Sequence, residues 1–243
     1  MRTLIISDVH ANLTALDAVL ADAGEFSRVL CLGDLVGYGP DPNQCFERVR
    51  TLPGLQCVKG NHDAAILGEI ETLAFNNEAR ASLAWLETEL SLANRNWLSG
   101  LDELKVIGHI TLAHGSPRNP VWEYILDVST ARKNMRQFET PICLVGHTHL
   151  PCIYQMEGEH LLSTRHQQMV QDEPFRLEYK SIVNPGSVGQ PRDHDPRSAY
   201  MIYDDEDDSW TYHRVAYDVS QVQERILAAG LPKRHAYRLE EGW

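Results

Sequence analysis

The stretch that decides the fold is LIISDVHANLTALDAVLADAGEFSRVLCLGD, residues 4–34. It opens with a short apolar run at residues 4–6 and closes with a second one at 29–32, and both are predicted to be buried strands. Between them, apolar residues recur at spacings of three and four over residues 13–23, which predicts an amphipathic helix. A strand–helix–strand unit joins parallel strands through a right-handed crossover, so the sequence predicts an α/β protein.

The alternation of strands and helices continues through the first 150 residues. Further strands are expected at residues 56–59, 104–107, 110–113 and 142–145, and further helices at 41–51 and 128–137. Residues 64–103 carry leucines at helical spacing and no strand pattern, which predicts a helical insert.

The pattern changes after Pro151, where strand-like runs follow one another without long helices. The runs lie at residues 153–156, 160–163, 177–183, 199–204 and 210–215, and a last helix is expected at 218–229. Residues 151–216 are therefore predicted to be a β-rich segment that forms a second sheet. We expect a single domain over residues 1–243, a four-layer α/β/β/α sandwich. In it, a mixed sheet packs on a mainly antiparallel sheet, and helices cover both outer faces.

The composition is typical of a globular cytoplasmic protein. The chain has 34 Asp and Glu against 22 Lys and Arg, a formal charge of −12, and such an acidic surface repels the backbone of a nucleic acid. The five cysteines form no regular pattern, as is usual in a reducing compartment. No apolar run suits a signal peptide or a membrane span, so no membrane partner is expected. A homo-oligomer is left open.

Metal-binding residue types follow five of the predicted strands. The motifs are DVH at 8–10, GD at 33–34, GNHD at 60–63, HG at 114–115 and GHTH at 146–149. Ligands of open α/β sheets bind beyond the carboxyl ends of the strands, so these side chains are expected to meet at one edge. Glycine accompanies most of these ends, where it lets the backbone turn sharply.

The donors in these motifs exceed what one four-coordinate ion needs. Carboxylate, imidazole and carboxamide donors together suit Mn, Fe, Ni or Zn. Two divalent ions about 3.5–4 Å apart are the usual arrangement for displacement at phosphorus. Taken singly, an aspartate after a strand is more often a helix cap, and a histidine an ordinary polar residue. It is a poor explanation that all five motifs follow strand ends by chance. The sequence therefore predicts a site for two divalent transition-metal ions.

In their order along the chain, the five motifs resemble the signature of the calcineurin-like metallophosphoesterases. The resemblance spans about residues 1–150, and NPGSVGQPRD at 184–193 is similar to the tail of small bacterial single-domain members. It implies that the ligands are Asp8, His10 and His149 for the first metal and Asn61, His114 and His147 for the second, with Asp34 bridging both. It also implies that His62 is the unligated histidine of the site and that Asp63 orients its ring.

The resemblance implies a metal-dependent hydrolase that acts on phosphomonoesters, phosphodiesters or both. A metal-bridging hydroxide would attack phosphorus in line, and His62 would protonate the departing oxygen. The expected partner is a small phosphoester substrate. The alternative is a metal-binding scaffold or interaction module of the same fold without catalysis. The complete set of ligands, together with His62, argues against that alternative.

The phosphate-binding residues are less well defined by the sequence. Family members that act on phosphoproteins or bis-nucleosides often have arginine soon after the GD motif, and residues 33–42 contain none. Arg118 and Arg192 are the candidate replacements, because a planar guanidinium fork suits phosphate oxygens. Either could equally be an ordinary surface arginine.

Three other residues admit both a functional and a structural interpretation. Asn12 either touches the site or its bridging water, or it caps the helix at 13–23, and the two roles are compatible. Trp122 and Tyr124 either form an aromatic wall over the substrate or anchor their own loop.

Overall fold

The structure, a computed structural model, describes residues 1–158 and 160–243. The elements of the first half are β1 (Arg2–Ile6), α1 (Leu13–Asp22), β2 (Arg28–Cys31), α2 (Pro42–Arg50), β3 (Gln56–Cys57), α3 (Asn61–Ile66), α4 (Asn77–Glu89), α5 (Leu92–Ser99), β4 (Leu104–Ile107) and β5 (Ile110–Ala113). Those of the second half are α6 (Val128–Asn134), β6 (Ile142–Leu144), β7 (Cys152–Glu157), β8 (His160–Gln167), β9 (Ser181–Asn184), β10 (Ser198–Asp204), β11 (Ser209–Val215), α7 (Val219–Ala228) and α8 (Lys233–Glu241).

The strands form two mixed sheets. The first has the order β11-β10-β1-β2-β3, in which β1, β2 and β3 are parallel and β10 runs antiparallel to β1. The second has the order β4-β5-β6-β9-β7-β8, in which β5, β6 and β9 are parallel. The predicted hairpin of β4 and β5 is present.

The prediction that residues 151–216 form the second sheet is wrong for its last two strands. β10 and β11 pair with each other, and β10 adds to the edge of β1 in the first sheet. Alternation of apolar residues shows that a segment is a strand, but it does not show which neighbour the strand pairs with. β10 is almost wholly buried, which suits a strand covered on both faces.

Successive side chains of the strands divide the interior into layers. In β1, Leu4 and Ile6 point outward into a core with the helices α1 and α2, whereas Ile5 points toward the other sheet. In β6, Leu144 meets that inter-sheet core, and Cys143 points outward to a core under α6. This alternation is the two-residue period of a strand. The result is the predicted four-layer α/β/β/α sandwich.

Two further helical segments complete the fold. Residues 64–103 contain α4 and α5, whose Leu83, Leu86 and Leu98 pack into the outer core of the first sheet. α8 was not predicted, and it packs against α7 through a small core of its own that includes Leu239. Within the described residues, none of the helices is both long and apolar enough to span a membrane.

Candidate metal centre

The side chains after the five strand ends meet in the structure. On one side, Nε2 of His149 lies 3.2 Å from Oδ1 of Asp8 and 3.1 Å from Nε2 of His10. These three residues are close enough to hold one ion. The other oxygen of Asp8 accepts hydrogen bonds from Ser7 Oγ at 2.6 Å and from the backbone N–H of His147 at 3.1 Å, which fixes the carboxylate.

A second group of ligand atoms lies beside the first. Nε2 of His114 is 3.0 Å from Oδ1 of Asn61 and 3.2 Å from Nδ1 of His147. Oδ2 of Asp34 lies 3.3 Å from Nε2 of His114 and 3.7 Å from Nε2 of His10, so it stands between the two groups. The seven predicted ligands are therefore together, and Asp34 has the position of a bridge.

Each imidazole of the cluster is oriented by a backbone carbonyl. Nδ1 of His10 donates to Val36 O at 2.9 Å and Nδ1 of His114 donates to Leu32 O at 2.8 Å. Nδ1 of His149 and Nε2 of His147 make the same kind of bond, to Gln190 O at 2.5 Å and Trp122 O at 3.1 Å. A carbonyl only accepts, so the nitrogen facing it carries the proton and a neutral ring turns a lone pair toward the cluster.

The cluster thus consists of electron-pair donors that face one another. The lone-pair nitrogens of His10 and His149 are 3.1 Å apart, and the buried Oδ1 of Asp8 has no hydrogen-bond donor among the described residues. Burial lowers the pKa of His10, His147 and His149, which keeps these rings neutral. At His114 the effect of burial is outweighed by the negative charge of Asp34, which raises the pKa of His114 to about 9. Such an arrangement is unfavourable unless a cation lies between the donors. The residues present fit divalent metal ions.

The backbone turns sharply where it leaves the strands. The φ angles of Asp8, His10, Asp34, His147 and His149 lie between 48° and 64°, in the left-handed region that non-glycine residues rarely adopt. Gly60 allows the loops after β2 and β3 to approach closely, because a Cβ atom there would overlap the Asp34 carboxylate. These turns aim side chains from separate strands at one point.

His62 lies beside this cluster and is held by two hydrogen bonds. Its backbone N–H donates to Oδ1 of Asp34 at 2.9 Å, and its Nε2 lies 3.0 Å from the hydroxyl of Tyr38. Its Nδ1 is buried without a partner in the described part of the chain. Burial lowers the pKa of His62 to about 4, so the ring rests in its neutral form.

The expected contact between Asp63 and the His62 ring is wrong. Oδ2 of Asp63 accepts the backbone N–H groups of Asp34 at 2.8 Å and Gly60 at 3.0 Å, and Oδ1 accepts those of Leu35 at 3.1 Å and Val36 at 3.3 Å. Adjacent residues on a helix point in different directions, so Asp63 faces the backbone of the loop after β2. The side chain that hydrogen-bonds to the ring is Tyr38, through its hydroxyl.

A cavity of about 560 Å³ opens beside the cluster. Asp34, His62, His147 and His149 reach it, and so does Arg192, one of the two predicted phosphate-binding arginines. The other prediction, Arg118, is wrong. Arg118 is absent from the described lining of the cavity, and its exposed guanidinium is paired with Glu123.

Asn12 has the structural role, and it is not among the described residues that line the cavity. Its Oδ1 accepts from Ala15 N at 3.0 Å and caps α1, and its Nδ2 donates to Gly189 O at 3.0 Å. Trp122 and Tyr124 combine the two interpretations, because both line the cavity and both contact His147. The ring of Tyr124 lies 3.8 Å from the His147 ring.

Several residues of the cavity were not predicted from the sequence. They are Tyr38, Ala74, Phe75, Asn76, Glu78, Ala79, Arg234, His235 and Arg238. Tyr38 has a signal in the sequence, since it lies in the glycine-rich run after the GD motif. The last three residues lie on α8, and the apolar spacing of Ala236 and Leu239 before Gly242 could have predicted that helix.

Comparison with known proteins agrees with this geometry. The calcineurin-like phosphoesterase superfamily domain matches residues 1–208, and the chain belongs to that family. It is 35% identical to the uncharacterized protein MJ0912 of Methanocaldococcus jannaschii over 97% of this chain and 96% of that protein.

Solved structures have the same fold. The crystal structure of a metallophosphoesterase from Sphaerobacter thermophilus superposes with a TM-score of 0.91 at 43% identity, covering 100% of this chain and 99% of that one. A hypothetical protein from Pyrococcus horikoshii, PH1004, superposes with a TM-score of 0.81 at 22% identity, covering 100% and 98%. The second likeness concerns the fold alone.

Proposed function

We propose that this protein is a dinuclear metal-dependent phosphoesterase that hydrolyses small phosphomonoesters, phosphodiesters or both. One observation carries the proposal: two groups of buried nitrogen and oxygen donors lie on either side of Asp34, and two cations would satisfy them together. The first ion would be held by Asp8, His10 and His149 and the second by Asn61, His114 and His147. The donor types suit Mn, Fe, Ni or Zn. Two such cations activate water and neutralise the charge of the phosphoryl oxygens.

His62 is the proposed proton donor to the departing oxygen: its ring is neutral at rest and would take up a proton once the negative charge of a phosphoester lies beside it. Its ring reaches the cavity beside Asp34 and is held by the Tyr38 hydroxyl. One ring nitrogen of His62 lies within 4.8 Å of ligand atoms of His10 and Asp34. We propose that His62 nevertheless stays unligated, because His149 and Asp8 complete the first site with His10, and that it exchanges a proton with the substrate. Asp63 serves this site indirectly, since it shapes the loop that carries Asp34.

Arg192 is the proposed contact to the phosphoryl oxygens. It donates to the Tyr38 hydroxyl at 3.4 Å and to Gln190 Oε1 at 3.0 Å, and the described residues provide no carboxylate as an ion-pair partner for it. A guanidinium in this situation has donors available for phosphate.

A metal assay combined with a substrate panel tests the proposal. Chelated protein is reloaded with Mn, Fe, Ni or Zn, and metal content and turnover of mono- and bis-p-nitrophenyl phosphate are measured. We expect about two ions per chain and metal-dependent turnover. His62→Ala should keep both ions and lose roughly 100-fold or more in kcat, whereas Asp34→Asn should lose both ions. Two bound ions without turnover would support the non-catalytic scaffold.

The cellular setting follows from the composition. We propose a cytoplasmic location, because all five cysteines are buried free thiols. The charge of −12 disfavours a long nucleic acid as substrate. We also propose that residues 1–243 act as one domain, since both sheets share the same inter-sheet core.

A further inference from the structure

The cavity carries more positive charge than the reacting phosphoryl group requires. Three guanidinium groups line it: Arg192, which follows β9, and Arg234 and Arg238, which lie on α8. We call these three residues the arginine wall. The chain as a whole has a net charge of −12, so this local excess of arginine is a departure from its composition. Positive charge in a cleft focuses the field on an anionic ligand.

The protein balances only part of this charge. In the described part of the chain, no Asp or Glu side chain lies within ion-pair distance of Arg192 or Arg238, and Arg238 donates to a main-chain oxygen of Trp243. Glu78 also lines the cavity: its Oε1 lies 3.6 Å from Nη1 of Arg234, and its negative charge also acts on Arg238. Burial, and then the neighbouring Arg192, lower the pKa of Arg238 to about 10. The guanidinium groups therefore repel one another until an anion lies between them.

The arginine wall is continuous with the candidate metal centre. Arg192 contacts the Tyr38 hydroxyl, which in turn contacts His62. α8 packs on the same tyrosine, because the ring of His235 lies 4.9 Å from the Tyr38 ring. The cavity of about 560 Å³ is far larger than a phosphoryl group, and pockets of this size hold whole small molecules. A substrate with its scissile phosphate at Asp34 therefore extends toward α8.

We propose that the arginine wall binds a second phosphate group, so that the preferred substrates are phosphoesters carrying two phosphates. This inference rests on the proposed function and adds the substrate class. Guanidinium forks match the oxygens of a phosphate, and its double charge offsets the repulsion within the arginine wall better than a single charge does.

Matched substrates test the inference on the metal-loaded protein. We expect kcat/KM for adenosine 3′,5′-bisphosphate to exceed that for adenosine 3′-phosphate and adenosine 5′-phosphate by about tenfold or more, the usual effect of a charged hydrogen-bonded contact. Arg234→Gln and Arg238→Gln should each reduce this preference, mainly through KM. Arg238→Lys should keep part of it, which separates the loss of charge from the loss of packing.

Lys233→Gln is the matched control, because Lys233 lies on α8, is exposed and does not line the cavity. It should keep the wild-type preference. Equal efficiency on the three nucleotides would overturn the inference and leave the phosphoesterase function standing. A preference for 4-carboxyphenyl phosphate over phenyl phosphate, with none for the bisphosphate, would overturn the assignment to phosphate. Absence of hydrolysis on every phosphoester, p-nitrophenyl phosphate included, would overturn the proposed function itself.

Discussion

Five of the candidate ligands have left-handed backbone conformations, and this strain has an energetic consequence. Each such residue costs of order 1 kcal/mol relative to an ordinary conformation. The strain persists because hydrogen bonds over-determine the loops, such as the bond from His10 N–H to Asp34 O at 2.9 Å and that from Asp8 N–H to Gly33 O at 3.1 Å. The loops hold the candidate ligands in place, so binding of a metal would require little rearrangement.

The sequence identified residue types at this site better than it identified residue roles. The convergence of Asp8, Asp34 and the histidines could be predicted, because strand ends meet at one edge of a sheet. The contacts of Asp63 could not be predicted from its neighbour His62, because the direction of a side chain depends on the helix that carries it. The prediction that Arg118 binds phosphate was also wrong, because Glu123 lies five residues away and pairs with it.

Replacing Asp63 by alanine should destabilise the whole domain. The change removes the acceptor of four buried backbone N–H groups in the loops after β2 and β3. A buried donor without a partner costs about 1–3 kcal/mol, and water can satisfy some of the four, so we expect a loss of about 3 kcal/mol or more in the free energy of unfolding. Urea denaturation measures it.

Asp17→Ala provides the comparison for this experiment. Asp17 is about half exposed and pairs with Arg48 at 2.8 Å, and exposed pairs of this kind contribute under about 1 kcal/mol. If Asp63→Ala instead kept its stability and lost only turnover, the result would support the prediction from the sequence that Asp63 orients the His62 ring.

At the level of secondary structure, local patterns predicted most elements and missed those decided by tertiary contacts. The crossover β1–α1–β2 follows from apolar spacing within one stretch of sequence. The pairing of β10 with β1 joins residues about 200 positions apart, for example Ile202 with Leu4, and no local pattern encodes it. α8 was missed because it is short and polar over most of its surface, and it depends on α7 for its packing.

Leu239→Ala tests the dependence of α8 on its small core. Leu239 is 3% exposed and packs with Val222, Ile226 and Leu231, and truncating a buried leucine costs about 2–5 kcal/mol. We therefore expect faster amide exchange in α8. We also expect a higher KM, because Arg234 and Arg238 lie on this helix. Leu227→Ala on α7 is the control, since Leu227 is 44% exposed. Unchanged exchange in α8 would show that the helix is held by other contacts.

At the scale of the whole molecule, the two sheets meet at the candidate metal centre. Asp8, Asp34 and Asn61 follow strands of the first sheet, and His114 and the histidines at 147 and 149 follow strands of the second. The inter-sheet core is apolar, so the sandwich does not need metal to bury its surface. At the edge, however, electron-pair donors from opposite sheets face one another, and ions bound there would hold the two sheets together.

Removing divalent ions should therefore lower the thermal stability of the entire chain. A ligand that binds only the folded state stabilises it by RT ln(1 + [L]/Kd), about 4 kcal/mol at a thousandfold excess over Kd. For a chain of 243 residues that corresponds to about 10 °C in Tm. Differential scanning calorimetry of chelated protein, before and after adding Mn, measures the shift. Asp34→Asn should show almost none, because it lacks the shared ligand. An equal Tm with and without metal in the unmodified protein would mean that the two groups of donors do not bind ions, since the folded state alone presents them together.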